Sequence, residues 1–209
     1  MIKTTYFETP LGRMLAAAED NALTGLWFIG QRYYPRAADG WVEDDGAQPF
    51  AALRTQLDEY FAGTCREFDL PLNPGGSHAL GSRLRGNDSR GSTPFQRAVW
   101  SAIGAVPFGN TTSYAALAMQ CGRPMAARAS GGATGRNPIS LLVPCHRIVG
   151  SSGALTGYAG GLDRKRALLA FEHAVAAGER CSIARFVPTD TAATSSPART
   201  AAQSELALR

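Results

Sequence analysis

The sequence predicts an α/β (α+β) protein: a small N-terminal antiparallel β-sheet with a helix, then a mostly helical second half carrying a helix-turn-helix. Three observations predict it. The first 30 residues hold three apolar-rich segments, Ile2 to Phe7, Arg13 to Ala18 and Ala22 to Ile29. Turn chemistry separates them, first at Pro10-Leu11-Gly12 and then at Glu19-Asp20-Asn21. From Thr93 onward the apolar spacing changes to threes and fours. Two short helical stretches in that half, Ser113 to Cys121 and Pro124 to about Ala133, are separated only by Gly122-Arg123.

Each further element has its own warrant. Phe50, Leu53, Leu57, Tyr60 and Phe61 share one helical stripe over residues 50–62, and Gly63 supplies a stop. Phe68, Leu70 and Leu72 alternate, which predicts one more strand. Asn73 to Ser92 is rich in Gly, Ser, Asn and Arg, and reads as a flexible linker or insertion over 74–92. Its Arg83, Arg85 and Arg90 suit either a solvated loop or a second DNA-touching arm. Thr93, Pro94 and Gln96 fit the N-cap, the first helical position and the capping-box partner of the next helix. Ser140 to Val143 is a short apolar run ending at Pro144, and Leu162 to Ala177 is a final helix. In residues 182–209, 17 of 28 are Ala, Ser, Thr or Pro, which predicts a disordered tail. The domains expected are therefore 1–73 and 93–181.

Composition excludes several classes. A chain of 209 residues with 44% hydrophobic and 18% charged residues is neither fibrous nor wholly disordered. No apolar run reaches the ~18 residues of a membrane span, and the N-terminus lacks a signal peptide's apolar stretch. A cytoplasmic protein without membrane contact is expected. The four cysteines, Cys65, Cys121, Cys145 and Cys181, include no Cys-x-x-Cys pair, so zinc-finger spacing is absent and free thiols are expected. The net charge is +4, unevenly placed. Residues 1–90 hold nine Lys/Arg against twelve Asp/Glu, and residues 91–181 hold nine against three. The basic block suits a polyanion such as DNA; a solvated basic face would look the same.

Three local signals carry chemistry. Cys145 and His146, with Arg147 beside them, form a setting in which cationic neighbours can favour a thiolate. On an extended segment adjacent side chains point to opposite faces, so His146 needs a bend or a bridging water to serve Cys145. A buried structural cysteine is the plainer reading of the dipeptide. Next, Pro124 to Ala133 is a run of small residues around one Arg128, able to approach another surface closely or to pack inside the protein. Last, Thr156 to Leu162 is a glycine loop with one aromatic, Tyr158, suited to cradle a flat ligand or simply to connect elements.

Together these elements resemble the O6-alkylguanine-DNA alkyltransferases, also called methylated-DNA–protein-cysteine methyltransferases. The resemblance runs from about Thr93 to Glu172. It rests on the Phe95–Trp100 helix, Val106-Pro107-Phe108-Gly109, Ser113-Tyr114, Ala126-Ala127-Arg128-Ala129, Gly135-Arg136-Asn137-Pro138 and Pro144-Cys145-His146-Arg147. Gly157-Tyr158-Ala159-Gly160-Gly161 and Leu168-Leu169-Ala170-Phe171-Glu172 complete it, in order and at matching spacing.

The resemblance implies the following. Cys145 accepts an alkyl group from O6 of guanine, or O4 of thymine, in double-stranded DNA, once per molecule and with no cofactor. His146 takes the thiol proton through a water, and Glu172 orients His146. Asn137 ties the helix-turn-helix to the active-site turn. Tyr114 crowds the flanking phosphate and protonates or hydrogen-bonds the guanine as charge develops. Arg128 fills the place of a base flipped out through the minor groove. Ser113, Arg123, Ala126, Ala127 and Gly131 face DNA with them. Val143, Tyr158, Ala159, Gly160, Ser140 and Thr134 line the substrate pocket. A monomer is expected. The N-terminal cysteines that hold a structural zinc in some members are absent here, so no metal is expected. Ser140 and Thr134 stand where some members carry a proline and a larger apolar residue, which leaves the preferred alkyl size open.

Three rival readings stand beside this one. A Cys-His hydrolase would use Cys145 and His146, but leaves Arg128 and Tyr114 unexplained. A non-catalytic lesion-binding protein of the alkyltransferase-like kind would lack the cysteine that is present here. A member disabled by its insertion would keep every motif.

Overall fold

The structure, a computed structural model, describes residues 1–35, 40–74 and 92–188. Its first half is a four-stranded sheet in the order β3-β2-β1-β4, with β1 Ile2–Phe7, β2 Met14–Glu19, β3 Ala22–Phe28 and β4 Trp41–Glu43. β1, β2 and β3 form the antiparallel meander, with Thr4 opposite Ala17 and Leu15 opposite Trp27. Asp20 and Asn21 both take positive φ, the conformation a tight β2–β3 hairpin needs and one that Asn and Asp tolerate.

β4 corrects the expected all-antiparallel sheet, because it pairs in parallel with β1. Its three residues, with Asp44 and Asp45 close behind, carry no alternation that would announce a strand. The strand expected over 68–72 is also corrected. Leu72 makes only an isolated bridge to Leu23, bounded by Leu23 N–H to Pro71 C=O and Asn73 N–H to Leu23 C=O, both 2.8 Å.

Helix α1, Phe50–Phe61, buries its predicted stripe of Phe50, Leu53, Leu57, Tyr60 and Phe61. Gly63 follows with φ +80, and a side chain there would meet the Cys181 carbonyl at 2.8 Å, so glycine is required on both counts. Helix α2, Pro94–Gly104, starts with the complete Thr93–Gln96 capping box. A short strand β5, Thr112–Ser113, pairs in parallel with β6, Ile148–Val149. Between them lie α3, Tyr114–Gln120, capped by Ser113, and α4, Ala127–Gly135. The second helix thus begins three residues later than expected, since Pro124 to Ala126 form a turn. Helix α5, Leu162–Ala176, closes this half.

Cys145–Arg147 is a 3₁₀ turn, which supplies a bend between Cys145 and His146. Within the tail expected over 182–209, Ile183–Phe186 instead form a 3₁₀ turn with Ile183 buried and Phe186 packed edge-on against Phe171. The remaining expectations for the linker (75–91) and the tail (189–209) lie outside the described residues.

One apolar core joins the two halves, with Leu26, Phe28, Leu53 and Tyr60 in the same cluster as Val99, Ile139, Val143 and Phe171. The free edge of β3 supports the strap leading to Cys145. Leu26 N–H donates to the Pro138 carbonyl at 2.8 Å, and Ser140 N–H returns to the Leu26 carbonyl at 2.9 Å. Burial of these apolar side chains, at about 25 cal/mol per Å², is what fixes the strap against the sheet.

Candidate active site and nucleic-acid interface

Cys145 sits at the N-terminal end of the 3₁₀ turn and is only 3% exposed. The strap before it runs through Leu141, a non-glycine residue with φ +73 and therefore strained. Asn137 holds that strap. Its side-chain NH₂ donates to the Val143 carbonyl at 2.7 Å and reaches Cys145 Sγ at 3.1 Å, while its Oδ1 accepts from Ile139 N–H at 3.0 Å. Asn137→Ala is expected to cost about 1–3 kcal/mol, the price of leaving buried partners unmet. A chemical denaturation curve checks it.

Burial pushes the Cys145 thiol up to about 11, and the Asn137 amide and the Lys165 charge only partly offset that. At neutral pH about one molecule in ten thousand holds a thiolate at such a value. The resting residue is a thiol, so attack requires a base.

His146 is the candidate for that base. The 3₁₀ turn brings His146 into the protein, fully buried, with Nε2 2.9 Å from Glu172 Oε1. Arg147 Nε and Nη2 donate to the two Glu172 oxygens at 2.9 Å each, and Tyr60 Oη donates to Oε1 at 2.7 Å. Gly109 N–H adds a contact to Oε2 at 3.2 Å. Burial alone would raise Glu172, but His146 and Arg147 outweigh it and hold the carboxyl well below the usual range. An ionised Glu172 can only accept, so Nε2 donates in that bond, and Nδ1 is the nitrogen left to exchange a proton. Nδ1 is buried without a hydrogen-bond partner among the described residues.

Lys165 is a wholly buried cation on α5. Its Nζ donates to the carbonyls of Ile148 (2.6 Å) and Thr156 (2.8 Å), and burial lowers it to about 8 despite the opposing influence of Cys145. Tyr114 Oη lies on the same loop, 3.0 Å from the Thr156 carbonyl and 3.1 Å from that of Gly157. Tyr114 is thus engaged with the loop expected to cradle the base.

The pocket candidates divide. Val143 is buried beside Cys145 in the core, and Tyr158 stands edge-on to His146 at 6.4 Å. Gly160 lies against Tyr158 and Phe28, where an added side chain would approach within 2.7 Å of the Tyr158 ring. The Ala159 carbonyl accepts from Arg32 N–H at 2.9 Å, which ties the loop to the N-terminal half. Ser140 is buried with its hydroxyl 3.4 Å from Gln31 Oε1. Thr134 is buried and bonds back to the Ser130 carbonyl at 2.7 Å within its own helix.

The helix-turn-helix presents the other candidates outward. Arg128 is exposed and makes no hydrogen bond or ion pair among the described residues. Arg123 is exposed with its guanidinium 5.4 Å from the Phe95 ring centre. Ala126 and Ala127 are half-buried, and Gly131 faces the Tyr114 ring, 3.7 Å from where a side chain would begin. Ser113 serves as the α3 N-cap, accepting from Ala116 N–H at 3.1 Å. No Asp or Glu occurs anywhere from Ser92 to Leu162, so this face carries uncompensated arginines.

Tyr60, Lys165 and Gln31 lie in the site region without having been singled out for it. Tyr60 reads in the sequence as one member of an apolar stripe, and Lys165 as one of three consecutive cations opening a helix. Arg147 stands out only as a neighbour of Cys145.

Comparison with known proteins agrees across both halves. Residues 2–74 match the family model for the ribonuclease-like domain of 6-O-methylguanine DNA methyltransferase, and residues 94–174 match that for its DNA binding domain. The chain is 45% identical over 172 residues to a methylated-DNA–protein-cysteine methyltransferase of Mycolicibacterium paratuberculosis, covering 82% of this chain and 93% of that one. A protein of the same description from Methanosarcina acetivorans is 39% identical over 166 residues, 79% of this chain and 95% of that one. Among solved structures, the Mycobacterium tuberculosis OGT in complex with DNA superposes with a TM-score of 0.73 at 40% identity, covering 88% of this chain and 98% of that one.

Proposed function

The chain belongs to the 6-O-methylguanine DNA methyltransferase family, and from that premise we propose that it repairs O6-alkylguanine in duplex DNA by moving the alkyl group irreversibly onto Cys145. The observation that carries the reading is the buried Cys145 thiol beside His146, whose far nitrogen is held by an ionised Glu172.

The chemistry follows from those positions. Cys145 Sγ attacks the alkyl carbon in line with the C–O6 bond. A sulfur–carbon bond forms as the carbon–oxygen bond breaks, and the electron pair leaves with guanine. The thiol proton passes through a water to His146 Nδ1, and Glu172 steadies the imidazolium. Guanine leaves as an anion that the Tyr114 hydroxyl, turning from its loop carbonyls, stabilises by a hydrogen bond, and the anion takes its proton from water. The same displacement applies to O4-methylthymine. The thioether has no leaving group that restores the thiol, so each molecule reacts once. A labelled methyl group supplied on excess duplex is expected to plateau at one per protein. Continued turnover would contradict this function.

A base stacked in a duplex cannot reach a buried sulfur, so it leaves the stack, and the small-residue face of α4 admits the minor groove. Arg128 takes the vacated place. Arg128→Ala is expected to slow repair of the duplex by at least tenfold while slowing reaction with free O6-alkylguanine little, since unstacking costs a few kcal/mol. Parallel rate measurements on both substrates decide it.

All four cysteines are free and no helix among the described residues is long and apolar enough to cross a membrane, which supports action in the reducing cytoplasm. Cys145, His146, Arg147 and Glu172 meet within a single chain, so the proposed chemistry calls for no second copy, and the chain acts as a monomer.

A further inference from the structure

We propose that Tyr60, on the helix beside the N-terminal sheet, is a positioning residue for alkyl transfer, its hydroxyl fixing the Glu172 oxygen that holds His146. The proposal rests on the reading of Cys145 and His146 given above. It assigns the N-terminal half a direct part in the chemistry.

Tyr60 is fully buried, and its hydroxyl has Glu172 as its partner. Three donors converge on Oε1: Tyr60 Oη at 2.7 Å, His146 Nε2 at 2.9 Å and Arg147 Nη2 at 2.9 Å. Each donor draws charge from the oxygen, so Tyr60 competes with His146 for the same lone pairs. The hydroxyl cannot swing away. Its ring is clamped by Phe61 and Phe68 at 5.3 Å, Phe171 at 5.8 Å and Phe108 at 6.1 Å. Burial and the Glu172 charge keep the phenol protonated far beyond neutral pH, so it donates throughout the working range. A phenylalanine would fill the same space, and only the oxygen distinguishes the two.

Tyr60→Phe removes the donor and keeps the ring. Oε1 then retains more negative charge and favours the charged imidazolium. The other groups facing this pair stay in place: Arg147 and Cys145 on the 3₁₀ turn, Tyr158 on the loop and Lys165 on α5. Two results are expected. The single-turnover rate at neutral pH falls about tenfold, the scale of one hydrogen bond to a charged group. The acidic limb of the pH–rate profile moves to higher pH, as does the pH at which the His146 ring signals change in NMR spectra. The chain has three histidines, which makes the assignment tractable.

Phe50→Leu serves as the control, a buried ring on the same helix that packs against Phe7 rather than against Tyr60. It is expected to lower stability without moving either pH midpoint. A Tyr60→Phe protein with wild-type rate and unmoved His146 signals would overturn the proposal, and so would an equal shift in Phe50→Leu. If the wild-type protein transferred no methyl group, the alkyl-transfer reading would fail instead. The NMR midpoint would still decide the coupling of Tyr60 to His146.

Discussion

Cys145→Ser is expected to accept no methyl group from duplex DNA containing O6-methylguanine, and still to bind that duplex as the wild type does. The loss is complete because the reaction depends on sulfur. Even with its pKa raised to about 11, the thiol gives up its proton far more readily than an alcohol, and sulfur is the better nucleophile toward a saturated carbon. Serine is slightly smaller and fits the site, where Asn137 can still donate to its oxygen. The proposed DNA face on the helix-turn-helix stays intact because Cys145 is buried in the core rather than exposed there. Methyl transfer and a binding titration on the same preparation check both halves. Transfer at the wild-type rate would remove Cys145 from the chemistry, and loss of binding would place the cysteine in the DNA interface instead.

Glu172→Gln is expected to be the most destabilising single change in the site, at about 3–5 kcal/mol. The substitution leaves Arg147, whose side chain is 8% exposed, without its counter-charge. It also turns one of the two accepting oxygens into an NH₂ donor, which faces Arg147 in either orientation of the amide. The pH dependence separates this from simple loss of packing. Glu172 is held below its unfolded value of about 4.3, so its contribution is present above that pH and is lost as pH falls below it. Wild-type stability should therefore decline on acidification through that window, and the Glu172→Gln protein should lose that part of the slope. Denaturant midpoints measured from pH 7 to pH 3 check the sign. A variant as steep as the wild type would contradict the assigned ion pair.

The local signals in the sequence were strongest where one residue type has one use. Thr93-Pro94-x-Gln96 announces a helix start, and the structure holds the complete capping box there. Glu19-Asp20-Asn21 announces a hairpin, and two of these residues take the positive φ it needs. The motifs around Cys145 point to the family that the comparisons establish. Elements decided by partners distant in sequence were not legible. β4 exists because β1 offers an edge, and the 68–72 segment alternates but meets β3 at a single bridge. Composition places Ile183 in a tail, whereas the core against α5 takes it in. Tyr60 is the sharpest case. Its ring makes it apolar in any periodicity count, and only the fold shows that its oxygen meets a carboxylate 112 residues away.

Intact-protein mass after mixing with one equivalent of duplex containing O6-methylguanine tests the central claim most directly. The predicted result is a gain of one methylene unit, mapped to the peptide carrying Cys145, that never exceeds one per molecule. An unchanged mass after incubation with DNA that the protein demonstrably binds, or a methyl group mapped to Cys65, Cys121 or Cys181, would contradict it.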